Sequence, residues 1–283
     1  MGIDTGSRGI HARTMDMAKF GQLMLQKGEW NGQQVVPREW VEACTKKHVD
    51  NSVSPGKNDA FYGYGYKFWR LRGNAYAGIG SGGQLIAVFP DEDLVFASTA
   101  NILDGEGDYY LILRLFWACI HPFLADSPLP ENPEKAAELQ GVVDRLTLTM
   151  PAGKTDSPRL STIDGTSYAF TGTEKCDLRA VRFAVEEGVI SVTLQLGEED
   201  FTVRAAANAW APQYLTYPDD DGWAQYVFTD DDTLCVHVHL ALKLGTYKIY
   251  FNFRDDDLSC IIRPVGWTDY KRLNYIGSGT RQA

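Results

Sequence analysis

Two histidines separated by one residue, His237-Val238-His239, lie in an apolar run. On a strand, side chains two apart share a face. The imidazoles could then bind a metal if a carboxylate approached, or they could simply occupy a half-exposed sheet face. Ser54 and Lys57 have the i, i+3 spacing that sets a hydroxyl beside an amine able to take its proton. Pro55 and Gly56 between them make a loop, so the two side chains should not share a helix face. Tyr250-Phe251-Asn252 brings a phenol and an amide together, but inside an alternating β run. No Gly-x-Ser-x-Gly elbow is present, because Ser81 and Ser278 have Ile79 and Ile276 at the first glycine position. The acidic triplets Asp219 to Asp221, Asp230 to Asp232 and Asp255 to Asp257 lack the alternating ligand spacing and central glycine of a calcium loop and read as solvated turns. Trp210, Tyr214, Tyr217, Trp223 and Tyr226 could line a groove for an apolar or sugar-like ligand, or pack a core. Five single cysteines, Cys44, Cys119, Cys176, Cys235 and Cys260, form no CxxC pair and read as buried thiols. No metal and no other cofactor is expected.

The elements that must hold these residues follow from composition and periodicity. A chain of 283 residues with 44% hydrophobic and 23% charged side chains can build two compact units. Twenty-seven basic against thirty-seven acidic residues give a formal charge of −10, which repels nucleic acid and anionic membrane surfaces. No nucleic acid partner is expected. The polar, Gly-rich start from Met1 to His11 has no signal-peptide character, and the apolar stretch Tyr109 to Ala125 is interrupted by Arg114, His121 and Pro122, so no membrane span is expected.

Thr14 is placed as the cap of a helix whose apolar face is Met17, Phe20 and Met24, with Gly28 ending it. Pro37 opens a second helix with Trp40, Val41 and Cys44 on its apolar face. Tyr62 to Trp69 alternates as a strand does, and two more strands, Gln84 to Phe89 and Leu94 to Ala100, flank the hairpin Pro90 to Asp93. A helix from about Asp108 to Leu124 should cover them. Ser127-Pro128-Leu129-Pro130 begins a proline-rich linker, followed by a short helix from Glu134 to Leu146 and then repeated β runs. The runs Arg179 to Val185, Val189 to Leu196, Phe201 to Ala206, Tyr226 to Phe228, Leu234 to Leu242, Tyr247 to Arg254 and Leu258 to Pro264 suit an up-and-down barrel or sandwich.

The block Thr14 to Leu25, with Gly28 to Gln33 and Pro37 to Val41 after it, resembles the region following the second active-site motif of class C β-lactamase-like and penicillin-binding-protein-like serine hydrolases. Tyr62-Gly63-Tyr64-Gly65-Tyr66 and Gly80-Ser81-Gly82-Gly83-Gln84 to Pro90 resemble that family's segments at its third motif, in the family order. The resemblance implies an α+β fold: residues 1–126 as the C-terminal part of the hydrolase domain, an antiparallel sheet with helices; 127–134 as linker; 135–283 as an all-β, lipocalin-like barrel. It implies that the Ser-x-x-Lys and Tyr-x-Asn motifs lie N-terminal to this block, so the chain alone is expected to be inactive. The third-motif strand and oxyanion candidates are Ala75, Tyr76, Ala77, Gly78, Gly80, Ser81, Gly83 and Gln84. The family's Lys-Thr-Gly positions fall on Ala75-Tyr76-Ala77, and the absent cation points to esterase, amidase or peptidase action on a small-molecule or peptide substrate rather than β-lactam hydrolysis. An extracytoplasmic location and a homo-oligomer formed through an exposed sheet edge are the further expectations. The alternative reading is a non-catalytic module that binds a ligand with the barrel.

Overall fold

A computed structural model describes residues 10–51, 62–102, 110–125, 127, 129–173, 176–216, 219–241, 245–265 and 274–282. The chain divides into two compact units, with the division after Pro133.

The first unit begins with helix α1 (Thr14–Leu25), a hairpin of β1 (Glu29–Trp30) and β2 (Gln33–Gln34), and α2 (Arg38–Thr45). An antiparallel sheet then runs in the order β3 (Trp69–Arg70), β4 (Tyr76–Gly80), β5 (Gln84–Phe89), β6 (Leu94–Ser98), followed by α3 (Leu111–Cys119). Alternation along β5 sends Leu85, Ala87 and Phe89 to one face and Val88 to the other. Leu113 and Phe116 of α3 cover the first face, with the Phe116 ring stacked 4.5 Å from Phe89. Met24 of α1 and Val41 and Cys44 of α2 cover the second.

Three local features differ from what the sequence pattern predicts. Arg13 is the cap residue of α1, and the Thr14 hydroxyl instead meets Thr99 Oγ1 at 2.7 Å. The buried face of α1 is Gly21 and Met24, while Phe20 stays 44% exposed. Gly21 decides this: a Cβ there would come within 2.5 Å of Val95 on β6, so the helix approaches the sheet closest where it has no side chain. The Tyr62 to Trp69 alternation is not a strand over its length; Trp69–Arg70 pairs as a strand and Tyr64 makes single bridges to Val49 and Trp69, while Gly63 takes a φ of +136° that no regular strand residue adopts.

The second unit holds α4 (Pro133–Val143), the short α5 (Leu160–Ile163) and ten strands: β7 (Ser167–Phe170), β8 (Leu178–Glu186), β9 (Val189–Leu196), β10 (Glu199–Ala206), β11 (Ala211–Leu215), β12 (Asp220–Phe228), β13 (Thr233–Leu240), β14 (Thr246–Arg254), β15 (Asp257–Val265) and β16 (Tyr275–Arg281). They form one sheet in the order β10-β9-β8-β7-β16-β15-β14-β13-β12-β11. Successive strands pair antiparallel except β10 and β11, which stand at the two ends of the order, and the first, β7, also pairs with the last, β16. One end, β10, meets β12, the neighbour of the other end, through a parallel pair, Ala206 with Gln225, so the sheet closes on itself. The fold is therefore α+β with an all-β barrel. Three strands, β7, β11 and β16, had no counterpart among the sequence's β runs. The triplet at Asp219 is not wholly a turn either, since Asp220 is buried as the first residue of β12.

Candidate functional site

The hydrolase-like candidates all fall on β4, β5 and the turn between them. Ala75, Tyr76 and Ala77 are buried, at 4%, 5% and 0% exposure. Tyr76 donates its hydroxyl to the Met24 carbonyl at 3.1 Å and lies under the Arg70 guanidinium. Burial first, and then the Cys44 thiol, drive its pKa far above the ordinary phenol value. It therefore stays a neutral phenol that ties α1 to β4. Surface begins only beyond it: β3 pairs with Tyr76 and Ala77, while Gly78, Gly80 and Ser81 are half-buried past its end. Gly78 pairs with Ile86 and Gly80 with Gln84. Gly83 gives its carbonyl to the Ser98 hydroxyl at 2.8 Å, and Gln84 Nε2 donates to the Ala100 carbonyl. Ser54 and Lys57 lie outside the described residues.

Inside the barrel, the inward residues of every strand join one apolar cluster. Phe183 meets Phe251 edge on at 5.1 Å, Tyr168 meets Phe253 at 6.2 Å, and Phe170 meets Tyr275 at 6.0 Å. Polar tips turn to the chain: Tyr275 donates to the Thr171 carbonyl at 3.1 Å and Tyr226 to that of Thr155 at 3.4 Å. Ile163 of α5 joins the same cluster. Burial raises the Cys260 thiol, with the Cys176 thiol adding to the effect, so both stay protonated and inert. The smallest inward side chains, Ala205 and Ala224, lie side by side, because Ala206 on β10 pairs in parallel with Gln225 on β12.

That meeting place is unusual in how it is joined. Gln213 on β11 receives the Arg204 N–H of β10 on Oε1 and donates Nε2 to the Arg204 carbonyl, each at 2.8 Å. One side-chain amide thus replaces a rung of backbone ladder. Pro212 beside it suits such a place, since a residue without an N–H is confined to sheet margins.

On the outer wall, the register aligns Gln225, His237 and Lys248 across β12, β13 and β14. Burial first, then Lys248 and His239, push His237 down to about 4; burial and Lys248 lower His239 as well. Two neutral imidazoles flanked by an ammonium make a poor cation site, and the described residues contain no group of three metal-ligating side chains. The aromatic groove does not assemble: Tyr226 points into the core, Tyr214 is 61% exposed and bonded to Asp219, Trp210 stands edge on to His239, and Tyr217 lies outside the described residues. Tyr250 and Asn252 occupy β14, with Asn252 bonded to Thr233, so they form no catalytic pair. Sequence reasoning missed Gln213, whose only signal was its position beside a proline.

Fold and site together define an α+β unit followed by a closed, apolar-lined barrel. No family model matches the sequence, and no curated protein matches it. Among solved structures, a Schistosoma mansoni fatty acid binding protein in complex with arachidonic acid is 10% identical, over 37% of this chain and 70% of that one, at a TM-score of 0.29. The fatty-acid-binding protein of Manduca sexta is 14% identical over 43% and 99%, at 0.29. The octameric penicillin-binding protein homologue from Pyrococcus abyssi is 14% identical over 89% of this chain and 46% of that one, at 0.30. These likenesses are slight.

The depressed imidazole has a consequence for stability. In the unfolded chain His237 takes its proton near the ordinary 6.5, in the barrel only near about 4. Between those values the unfolded state holds more protons, so stability falls as pH drops through this window and is unaffected by His237 above it. Urea unfolding followed from about pH 7 to about pH 4.5 should show this decline, and His237→Gln should make it shallower, leaving the share that the lowered His239 contributes. An identical slope in the variant would show that His237 is not the group responsible.

Proposed function

We propose that the barrel unit is a binding module for a small apolar molecule. The carrying observation is the interior: an inward surface of aliphatic and aromatic side chains whose smallest members, Ala205 and Ala224, adjoin the place where β10 and β11 are joined by a side chain rather than a ladder. Eight strands make a barrel just wide enough for side chains to fill or for one small ligand, and ten make a wider one. Apolar walls with a few polar tips suit a ligand that is mostly hydrocarbon. Opening the junction costs the two Gln213 hydrogen bonds, which water can replace, and one parallel bridge rather than a full backbone ladder.

A fluorescent fatty acid, NBD-stearate, titrated into the chain should bind saturably with enhanced emission. Ala224→Phe puts a large ring where the inward side chains are smallest and should weaken binding at least about tenfold with the fold retained by circular dichroism. No saturable binding to the parent chain, or equal binding by the variant, would remove the basis of this reading.

A second reading concerns the first unit, as the C-terminal part of a β-lactamase-like serine hydrolase domain acting on ester, amide or peptide bonds. It is favoured by β6, which has no second neighbour among the described residues and whose five side chains are all half-buried, as an inner strand awaiting a partner would be. In this reading the nucleophile and its base lie on other residues than these, so the chain should not react with a fluorophosphonate or a fluorescent penicillin. Stoichiometric labelling of Ser54 or Ser81, located by mass spectrometry, would assign the nucleophile to this chain instead.

A further inference from the structure

We propose that the recess between the C-terminal half of α1 and the β1–β2 hairpin is a binding site for a neutral oligosaccharide. Gln22 of α1 and its C-cap residue Gln26, Glu29 and Trp30 of β1, and Asn31 and Gly32 of the turn line a space of about 480 Å³. That volume is within the range of small-ligand sites.

The lining chemistry selects the ligand class. Gln22, Gln26 and Asn31 each offer an amide with donors and an acceptor, and Glu29 offers a carboxylate acceptor. None of these four side chains is hydrogen-bonded or ion-paired to a described residue. Sugar hydroxyls donate and accept at once, which is the match such a mixed set requires. The Trp30 indole supplies a flat apolar body of the kind that packs on the C–H face of a sugar ring. A hydrocarbon ligand would leave the amides unpaired on binding, which is costly. An anion would meet the Glu29 charge with no cation to offset it, because the one neighbouring lysine, Lys27, is paired with Glu42 at 3.7 Å.

The site is also built before any ligand arrives. Residues 22 to 36 are knitted by backbone bonds: Gln26 N–H to the Gln22 carbonyl at 2.9 Å, Gly28 N–H to that of Leu23 at 2.8 Å, and Val35 N–H to that of Gly28 at 2.8 Å. Gln34 Nε2 donates to the Lys27 and Val36 carbonyls at 2.8 and 2.6 Å. Helix end and hairpin are held as one piece, so the backbone needs no ordering on binding and the entropy cost falls on the side chains of Gln22, Gln26, Glu29 and Asn31.

The test is calorimetric titration of the full chain with cellotetraose and with tetra-N-acetylchitotetraose, alongside saturation-transfer NMR on the sugars. At least one should bind with a dissociation constant of roughly millimolar or tighter. Trp30→Ala and Gln26→Ala should each weaken it at least about tenfold. Trp40→Ala, which removes an exposed indole of the same unit from outside the recess, should leave it unchanged. Melting curves matched to the parent chain identify which variants are folded, and Gln26, exposed on the helix end, provides the variant least able to disturb the core. The proposal is overturned if neither sugar binds saturably up to about 10 mM, if folded Trp30→Ala and Gln26→Ala bind as the parent does, or if Trp40→Ala abolishes binding.

Discussion

One side-chain amide, beside a single parallel bridge, completes the circumference of the barrel. Around most of the ring, backbone ladders join neighbours, and β7 meets β16 so that the first and last strands pair directly. Between β10 and β11 the two bonds from Gln213 to the Arg204 backbone do the same work. Without them the Arg204 N–H and carbonyl on that edge of β10 would be unpaired, the condition that sheet proteins otherwise avoid by closure. The dry interior follows from closure, because Phe251, Phe183 and Phe253 stay away from water only while the wall is continuous.

The two faces of that wall have opposite chemistry. Inward positions on β13 and β14 are Leu234, Val236, Val238 and Tyr247, Ile249, Phe251; outward positions are Cys235, His237, His239 and Lys248, Tyr250, Asn252. Packing on the outer face is close enough to hold His237 neutral and to push the Cys235 thiol up to about 11, with Tyr250 as its hydrogen-bond partner. Cysteine and histidine on one strand face suggest a metal site only when their geometry converges; here they are strung along the strand, i, i+2, i+4, with an ammonium beside them.

Much of this was legible in the sequence. Val189–Leu196 was read with its observed bounds, and β8, β10, β13, β14 and β15 to within a few residues, because each has one buried face and hence a clean period of two. The strands that escaped had that period damaged for physical reasons. β16 carries Gly277 and Gly279, where the rings of Tyr275 and Phe170 occupy the space a Cβ would need. β11 carries Pro212 and β7 is only four residues long. In the first unit, Phe20 looked like core and Gly21 like a gap, whereas helix-to-sheet approach is set by the gap. The Tyr62 alternation misled for a related reason: glycines at every second position permit a close irregular path as readily as a strand. Gly65 passes so near the end of α2 that a Cβ would meet the Cys44 carbonyl at 2.2 Å. The Ala75-Tyr76-Ala77 triplet rests on position along the chain, which carries no information on burial. Its side chains turned out to be core, with surface starting only at Gly78.

Hydrogen exchange at the Arg204 amide tests most directly whether the barrel is closed as described. If Gln213 holds the junction, that amide exchanges slowly in the native chain, and Gln213→Ala frees it together with its neighbours in β10 and β11 while β14 and β15 keep their protection. Rapid exchange of Arg204 in the native chain, or protection unchanged by Gln213→Ala, would contradict closure through this side chain.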